Sequence, residues 1–220
     1  MVVLENISKC YRTRRGEVYA LRDVNLRIEK GEFAVLCGPS GSGKTTLLMT
    51  IAAMLRPSSG RVCAGGRDVY AMTISERARF RAENIGFVFQ MFHLVPYLNI
   101  VENVLLAGRV LGRNTGRTAA EDLLRQLGLG ERATHKPAEL SAGEKQRAAI
   151  VRALFNQPKI ILADEPTGNL DPGNASAVLG HLAEFHTKGG TVILATHGPA
   201  AREFASRTVR LRNGAIEKSG

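Results

Sequence analysis

Gly38-Pro39-Ser40-Gly41-Ser42-Gly43-Lys44-Thr45 is a run of residues suited to holding phosphate. It fits the pattern G-x-x-x-x-G-K-[ST] at every fixed position. Glycine backbone can wrap a phosphate chain and turn its N–H groups inward. A helix starting at the end of the loop adds partial positive charge. The ammonium of Lys44 suits β- and γ-phosphates, and the hydroxyl of Thr45 suits magnesium. The pattern implies that residues 38–45, with Thr46 after them, bind a nucleoside triphosphate. The plainer alternative is a Gly/Ser-rich turn in front of a helix.

Further residues have the chemistry that hydrolysis needs. Asp164-Glu165 follows the apolar run Ile160-Ile161-Leu162-Ala163. Ligands of a parallel sheet bind at the strand ends. There Asp164 can hold magnesium and Glu165 can polarise an attacking water; an acidic turn is the alternative. Gln90 follows Ile85-Gly86-Phe87-Val88-Phe89, and its amide can touch magnesium or the attacking water. His197 follows Thr191-Val192-Ile193-Leu194-Ala195 and Thr196, where an imidazole can bond a γ-phosphate. Taken alone, a glutamine at a strand end is compatible with simple solvation, and a single histidine with a structural role. Ser141-Ala142-Gly143-Glu144 opens a helix. It reads as a capping box, and also as a second anion site. The readings are compatible, because a hydroxyl both donates and accepts.

These residues need strands and helices to position them. Phe33-Ala34-Val35-Leu36-Cys37 is predicted as a buried strand leading into the phosphate loop, and residues 46–52 as the helix leaving it. Val2-Val3-Leu4 and Val24-Asn25-Leu26-Arg27-Ile28 have strand composition, as do Arg61-Val62-Cys63-Ala64 and residues 85–89. Residues 160–163 and 191–195 are short apolar runs typical of central parallel strands. Leu and Val at helical spacing predict helices over 101–111 and 118–127, with others over 140–154 and 172–185. Residues 209–211 and 215–217 around Asn213-Gly214 read as a closing hairpin. The expected fold is α/β: a phosphate-loop core with a mainly parallel sheet, an N-terminal antiparallel β part and an inserted helical part over about 92–155. The chain of 220 residues is read as one domain.

Bulk properties narrow the class. A hydrophobic content of 44% with 23% charged residues is that of a globular protein. The formal net charge is +10, from 30 Lys and Arg against 20 Asp and Glu. This permits contact with nucleic acid or an anionic membrane face without requiring either. The densest basic run, Arg12-Thr13-Arg14-Arg15, reads as a solvated loop in preference to a binding patch. Three cysteines, Cys10, Cys37 and Cys63, lack metal spacing and read as reduced thiols. No signal peptide is visible, and no apolar run approaches the ~18 residues of a membrane span. A soluble, cytosolic protein is expected, reaching a membrane only through a partner.

Taken in order, these pieces resemble the ATP-binding-cassette ATPases over essentially the whole chain. Gly38 to Thr45 is similar to that family's Walker A loop, Gln90 to its Q-loop, and Leu140-Ser141-Ala142-Gly143-Glu144-Lys145-Gln146-Arg147 to its signature. Ile160 to Glu165 resembles Walker B, Gly168-Asn169-Leu170-Asp171 the D-loop, and His197 the switch histidine. Tyr11 matches the aromatic that stacks on adenine. Ala142 and Glu144 stand where the family commonly has Gly and Gln, while Gly143, where phosphate approaches closest, is kept. Pro166 to Asp171, residues 92–98 and the compact length resemble the subgroup of lipoprotein-release, macrolide-export and cell-division ATPases.

The resemblance implies ATP and Mg2+ as ligands. Glu165, His197 and Gln90 would be catalytic, and Thr45, Gln90 and Asp164 would serve the metal. Tyr11, the loop residues, Ser141, Gly143, Glu144 and Asp171 would contact nucleotide. It implies a head-to-tail dimer of two copies with two shared ATP sites, a separate integral membrane permease, and a peripheral place on the inner face of the cell membrane. No nucleic-acid partner is expected. Two competing readings are a soluble ATPase of the same superfamily acting on nucleic acid or the ribosome, and a nucleotide-binding scaffold that does not hydrolyse. Long coiled coils, zinc modules or a second cassette would mark the first; none is seen. The presence of Glu165, Gln90 and His197 argues against the second.

Overall fold

A computed structural model describes residues 1–14, 16–112 and 116–217; Arg15 of the basic run lies outside them. The chain begins as a long hairpin, β1 (Val2–Thr13) and β2 (Gly16–Ile28). Strand β4 (Ser59–Ala64) pairs antiparallel with β1, and β5 (Arg67–Asp68) with β4, giving the sheet order β2-β1-β4-β5. The second sheet has six strands in the order β10-β9-β3-β8-β7-β6. Here β3 is Phe33–Cys37, β6 Ile85–Val88, β7 Ile160–Asp164, β8 Thr191–Ala195, β9 Arg207–Arg212 and β10 Ala215–Ile216. All neighbours in it are parallel except the closing β9–β10 hairpin.

Strand alternation divides the interior into two cores. Ala34, Leu36, Ile160, Leu162, Ile193 and Ala195 face one side. They pack with Leu47, Leu48 and Ile51 of helix α1 (Lys44–Ile51) and with the inner face of the antiparallel sheet, including Leu4, Ile7 and Val62. Phe33, Val35, Ile161, Ala163, Val192 and Leu194 face the other side. The central strands are buried on both faces, which is why they read as continuous apolar runs.

Strands β6 and β7 are hydrogen-bonded neighbours, Ile85 opposite Ile160. The chain between them supplies α3 (Ile100–Arg109), α4 (Arg117–Gln126) and α5 (Ala142–Leu154). With α6 (Pro172–Thr187) they bury Ile100, Val104, Leu124, Ile150, Val151 and Leu182 in the second core. Helix α3 starts at Asn99, whose side chain closes a capping box with Glu102.

Two features depart from the sequence reading. Helix α2 (Ile74–Asn84) had no predicted counterpart. It buries only Phe80, and charged residues dominate the rest, so it carries no apolar stripe; its start signal is the Thr73–Glu76 capping box. The hairpin strands are also longer than their predicted ends. Register shifts between Leu4 and Cys10 interrupt the alternation that would have marked them.

Candidate active site

Strand β3 ends at Cys37 and releases the loop 38–43 at the carboxyl edge of the parallel sheet. Helix α1 begins at Lys44, with Gly43 as its N-cap at φ 105°. Only glycine suits this position: a Cβ would stand 2.4 Å from the Ala20 carbonyl oxygen of β2. The antiparallel hairpin therefore reaches the loop directly. Lys44 is only 8% exposed, and its Nζ donates to the Gly38 and Pro39 carbonyls at 2.8 and 3.2 Å.

A cavity of about 570 Å³ opens over this loop. Ala20, Ser40, Gly41, Ser42, Gly43, Lys44, Thr45, Thr46, Gln90, Glu165 and His197 line it. Residues from the ends of β6, β7 and β8 thus meet the loop and the start of α1 in one place. Ser42 Oγ and Glu165 Oε2 are buried with no hydrogen-bond partner among the described residues. Unpaired buried polar atoms are costly. Two of them on one cavity wall suit a polar ligand that supplies a donor and an acceptor.

Thr45 Oγ1 donates to Asp164 Oδ1 at 3.1 Å. Burial pushes the Asp164 carboxyl above its ordinary value, with the Thr45 hydroxyl pulling the other way and Glu165 adding repulsion. Hydroxyl and carboxylate oxygens with the Gln90 amide nearby are a fitting donor set for Mg2+, which takes few protein ligands and keeps phosphate and water oxygens. Glu165 adopts φ 44°, a left-handed conformation that costs a non-glycine residue ~1–3 kcal/mol and recurs at functional sites. Its N–H donates to the Ala195 carbonyl at 2.8 Å, and its Oε1 lies 3.0 Å from His197 Nδ1.

The remaining predicted residues lie elsewhere. Tyr11 stands in β1 opposite Val18, half exposed, with Lys9 Nζ 5.2 Å from its ring centroid. It does not line the cavity, nor do Gly38 and Pro39, which border a neighbouring concavity with Arg202, Arg210 and Arg212. Ser141 caps α5 as read from the sequence: its Oγ accepts from Glu144 N at 3.2 Å, and Glu144 Oε2 accepts from Ser141 N at 2.8 Å. Glu144 is held at a pKa of about 2, first by that backbone bond and then by Arg132. Gly143 is buried, and a Cβ there would meet Asn174 Oδ1 at 2.2 Å. Asn174 in turn accepts from Arg147 at 2.9 Å and donates to Asp171, the N-cap of α6. Asp171 is pulled below its ordinary pKa by the Asn174 bonds.

Ala20, Arg132 and Asn174 were not singled out in the sequence. Each matters through a contact distant along the chain, and no local spacing marks such a contact. Beyond β6, Tyr97 is 75% exposed, while Phe92 is half buried. Phe87 and Phe89 stack with ring centroids 4.1 Å apart. The groove between α2, β6, α3 and α5 holds about 240 Å³ and is lined by Met54, Phe87, Val110 and Arg152 among others, but not by Phe92 or Tyr97.

Comparison with known proteins agrees with this geometry. The ABC transporter family model matches residues 21–168. The ABC transporter ATP-binding protein MJ1508 of Methanocaldococcus jannaschii is 44% identical over 98% of this chain and 97% of its own. The lipoprotein-releasing system ATP-binding protein LolD 2 of Caulobacter vibrioides is 40% identical over 99% of this chain and 96% of its own. The macrolide export ATP-binding/permease protein MacB of Syntrophobacter fumaroxidans is 43% identical over 99% of this chain, which spans 31% of that longer protein. Among solved structures, the dimeric post-hydrolysis state of the cassette MJ0796 bound to ADP and Pi superposes with a TM-score of 0.93 at 38% identity, covering 99% of this chain and 97% of that one. By sequence, fold and site architecture together, the chain belongs to the ABC transporter family, as an ATP-binding subunit that hydrolyses ATP.

Proposed function

We propose that residues 1–220 form one cassette, with a helical insertion over about 92–155, that works as a head-to-tail pair of copies. Each ATP is shared between the phosphate loop of one copy and the Ser141 face of the other. ATP binding closes the pair, hydrolysis reopens it, and a separate membrane permease is driven by the motion. The protein then sits peripherally on the cytoplasmic face of the membrane. Two lines support this: the dimeric cassette neighbours, and the names of relatives acting in lipoprotein release and macrolide export.

One observation carries the reading. The cavity gathers Lys44, Thr45, Gln90, Glu165 and His197, whereas Ser141 and Gly143 lie outside it. Ser141 is exposed, and its oxygen accepts from Glu144 N, while a hydroxyl also carries a proton that can be donated. A complete phosphate cradle and a separate, outward-facing donor are what a shared site requires of each copy.

Within that site, Lys44 and the loop N–H groups bind the β- and γ-phosphates. Thr45, Asp164 and Gln90 would hold Mg2+, which when bound would supply positive charge beside the phosphate oxygens. Glu165 Oε2, unpaired and on the cavity wall, takes the proton of the attacking water. His197 orients Glu165 through Oε1 and bonds the γ-phosphate. Tyr11 stacks on adenine, and Asp171 contributes from the copy that supplies Ser141.

Size-exclusion chromatography tests the pairing. Glu165→Gln with ATP and magnesium is expected to accumulate as a dimer, and adding Ser141→Arg to return it to monomer. A monomeric Glu165→Gln, or a dimer indifferent to Ser141→Arg, refutes the shared site.

A further inference from the structure

Glu144 poses an electrostatic problem for the function proposed above. Three positions after Ser141, an ionised carboxylate stands on the face that meets a triphosphate. Two negative groups at close range repel strongly where water is excluded. Protonation offers no relief, because Glu144 is held at a pKa of about 2. The fold answers with Arg132. Its Nε donates to Glu144 Oε1 at 2.9 Å while the Ser141 N–H occupies Oε2 at 2.8 Å. Both carboxylate oxygens are therefore engaged. The pair is partly shielded, with side chains 44% and 19% exposed.

The arginine is delivered by a segment that is itself fixed. Arg132 closes a 3-10 turn, its N–H donating to the Leu129 carbonyl at 3.0 Å and its carbonyl accepting from His135 N at 3.0 Å. The carbonyls of Ala133 and His135 accept from Val101 and Ile100, both at 2.9 Å, so the same segment caps the start of α3. The guanidinium is aimed from a rigid support and not from a loose loop.

We propose that Arg132 is a positioning residue for ATP-dependent pairing. It holds the Glu144 carboxylate back against the Ser141 backbone and offsets its charge, so that a γ-phosphate from the other copy meets the Ser141 hydroxyl and the start of α5. This rests on the shared-site reading. It adds that a glutamate is usable at position 144 because an arginine stands at position 132.

The test uses the full chain carrying Glu165→Gln, titrated with ATP and magnesium and followed by size-exclusion chromatography or light scattering. Arg132→Ala is expected to raise the ATP or protein concentration needed for dimer by about tenfold or more, the scale of an unscreened like charge. Restoring dimer formation by adding Glu144→Gln is the decisive outcome, because a loss of packing at Arg132 would not be repaired by neutralising its partner. ATP binding to the isolated copy, read with a fluorescent analogue at low protein concentration, is expected to be unchanged. Arg132→Gln serves as a second variant with the same expectations if Arg132→Ala is poorly folded. Undiminished pairing in Arg132→Ala overturns the proposal, and so does a loss that Glu144→Gln fails to restore. Absence of dimer in the Glu165→Gln parent refutes the shared site itself, a result distinct from either.

Discussion

His197 Nδ1 lies 3.0 Å from Glu165 Oε1, joining the ends of two adjacent parallel strands, β8 and β7, across the mouth of the cavity. The contact is asymmetric: the His197 side chain is 74% exposed and that of Glu165 14%. The imidazole thus fixes one carboxylate oxygen from the solvent side. The other oxygen is buried and has no hydrogen-bond partner among the described residues, on a side chain that lines the cavity.

That division of labour predicts the phenotype of His197→Ala. Glu165 keeps its backbone bond to Ala195 but loses the group that sets its rotamer. Turnover is expected to fall by about 10²–10⁴, the range for a general base that is no longer held in place. ATP affinity is expected to fall far less, by about two- to tenfold, the share of one hydrogen bond to the γ-phosphate. Phosphate release and nucleotide titration on the same preparation separate the two, and near-normal turnover would rule out the orienting role.

Lys44→Ala is expected to abolish tight ATP binding by removing the loop's side-chain cation. Lys44 is also buried and donates to two loop carbonyls. A small stability loss, about 0.5–1.5 kcal/mol per lost hydrogen bond, should therefore accompany the binding defect. Micromolar ATP affinity with normal turnover in this variant would show that phosphate is held elsewhere.

Tyr11→Ala is expected to weaken ATP about ten- to a hundredfold, since stacking on a base is worth ~1–3 kcal/mol. Tyr11→Phe should change little, because the ring and not the hydroxyl does the stacking. Unchanged affinity in the alanine variant would leave Tyr11 as a strand residue opposite Val18 and nothing more.

The phosphate loop, the central strands and most helices were legible because each is written in contiguous residues. Five apolar residues before a glycine-rich loop specify β3, and the capping box at Ser141 and Glu144 was read from their spacing alone. Helix α2 was not legible, because its stability comes from caps and charged-face pairs such as Arg79–Glu83 and not from an apolar stripe. Nor was the setting of Gly143: a Cβ there would press on the Asn174 side chain, on a helix that begins some thirty residues later. Contacts such as Arg132–Glu144 and Gly43–Ala20 exist only once the chain has folded back on itself.

Partner recognition beyond β6 can be tested at Tyr97. It is exposed, lies in the same loop as Gln90, and has little buried area to lose. Tyr97→Ser should spare the ATPase activity of the isolated subunit and its melting temperature, and reduce stimulation by the cognate permease. Phe92→Ser is expected to lower stability as well, because the Phe92 side chain is half buried. Full permease coupling with Tyr97→Ser would remove Tyr97 from the docking surface.

Asp164 should make the fold less stable at neutral pH than it could be. Burial raises its carboxyl pKa; Glu165 adds to the rise, while Thr45 and Lys44 oppose it. A carboxyl whose folded pKa exceeds its unfolded one contributes stability below the ordinary Asp range and loses it as pH climbs through the raised value. Asp164→Asn retains an acceptor for the Thr45 hydroxyl without the buried charge. At pH 7 to 8, in the absence of nucleotide, the variant is expected to melt higher than the parent, at about 2–4 °C per kcal/mol for a chain of this size. The two melting curves should converge as pH falls into the ordinary Asp range, near 4. The same substitution should weaken magnesium-dependent hydrolysis, because an amide is a poorer ligand for a hard cation. A variant less stable than the parent at pH 7, or a gap that persists at low pH, would mean that the Asp164 carboxylate is structurally favourable and that its burial is not a cost accepted for chemistry.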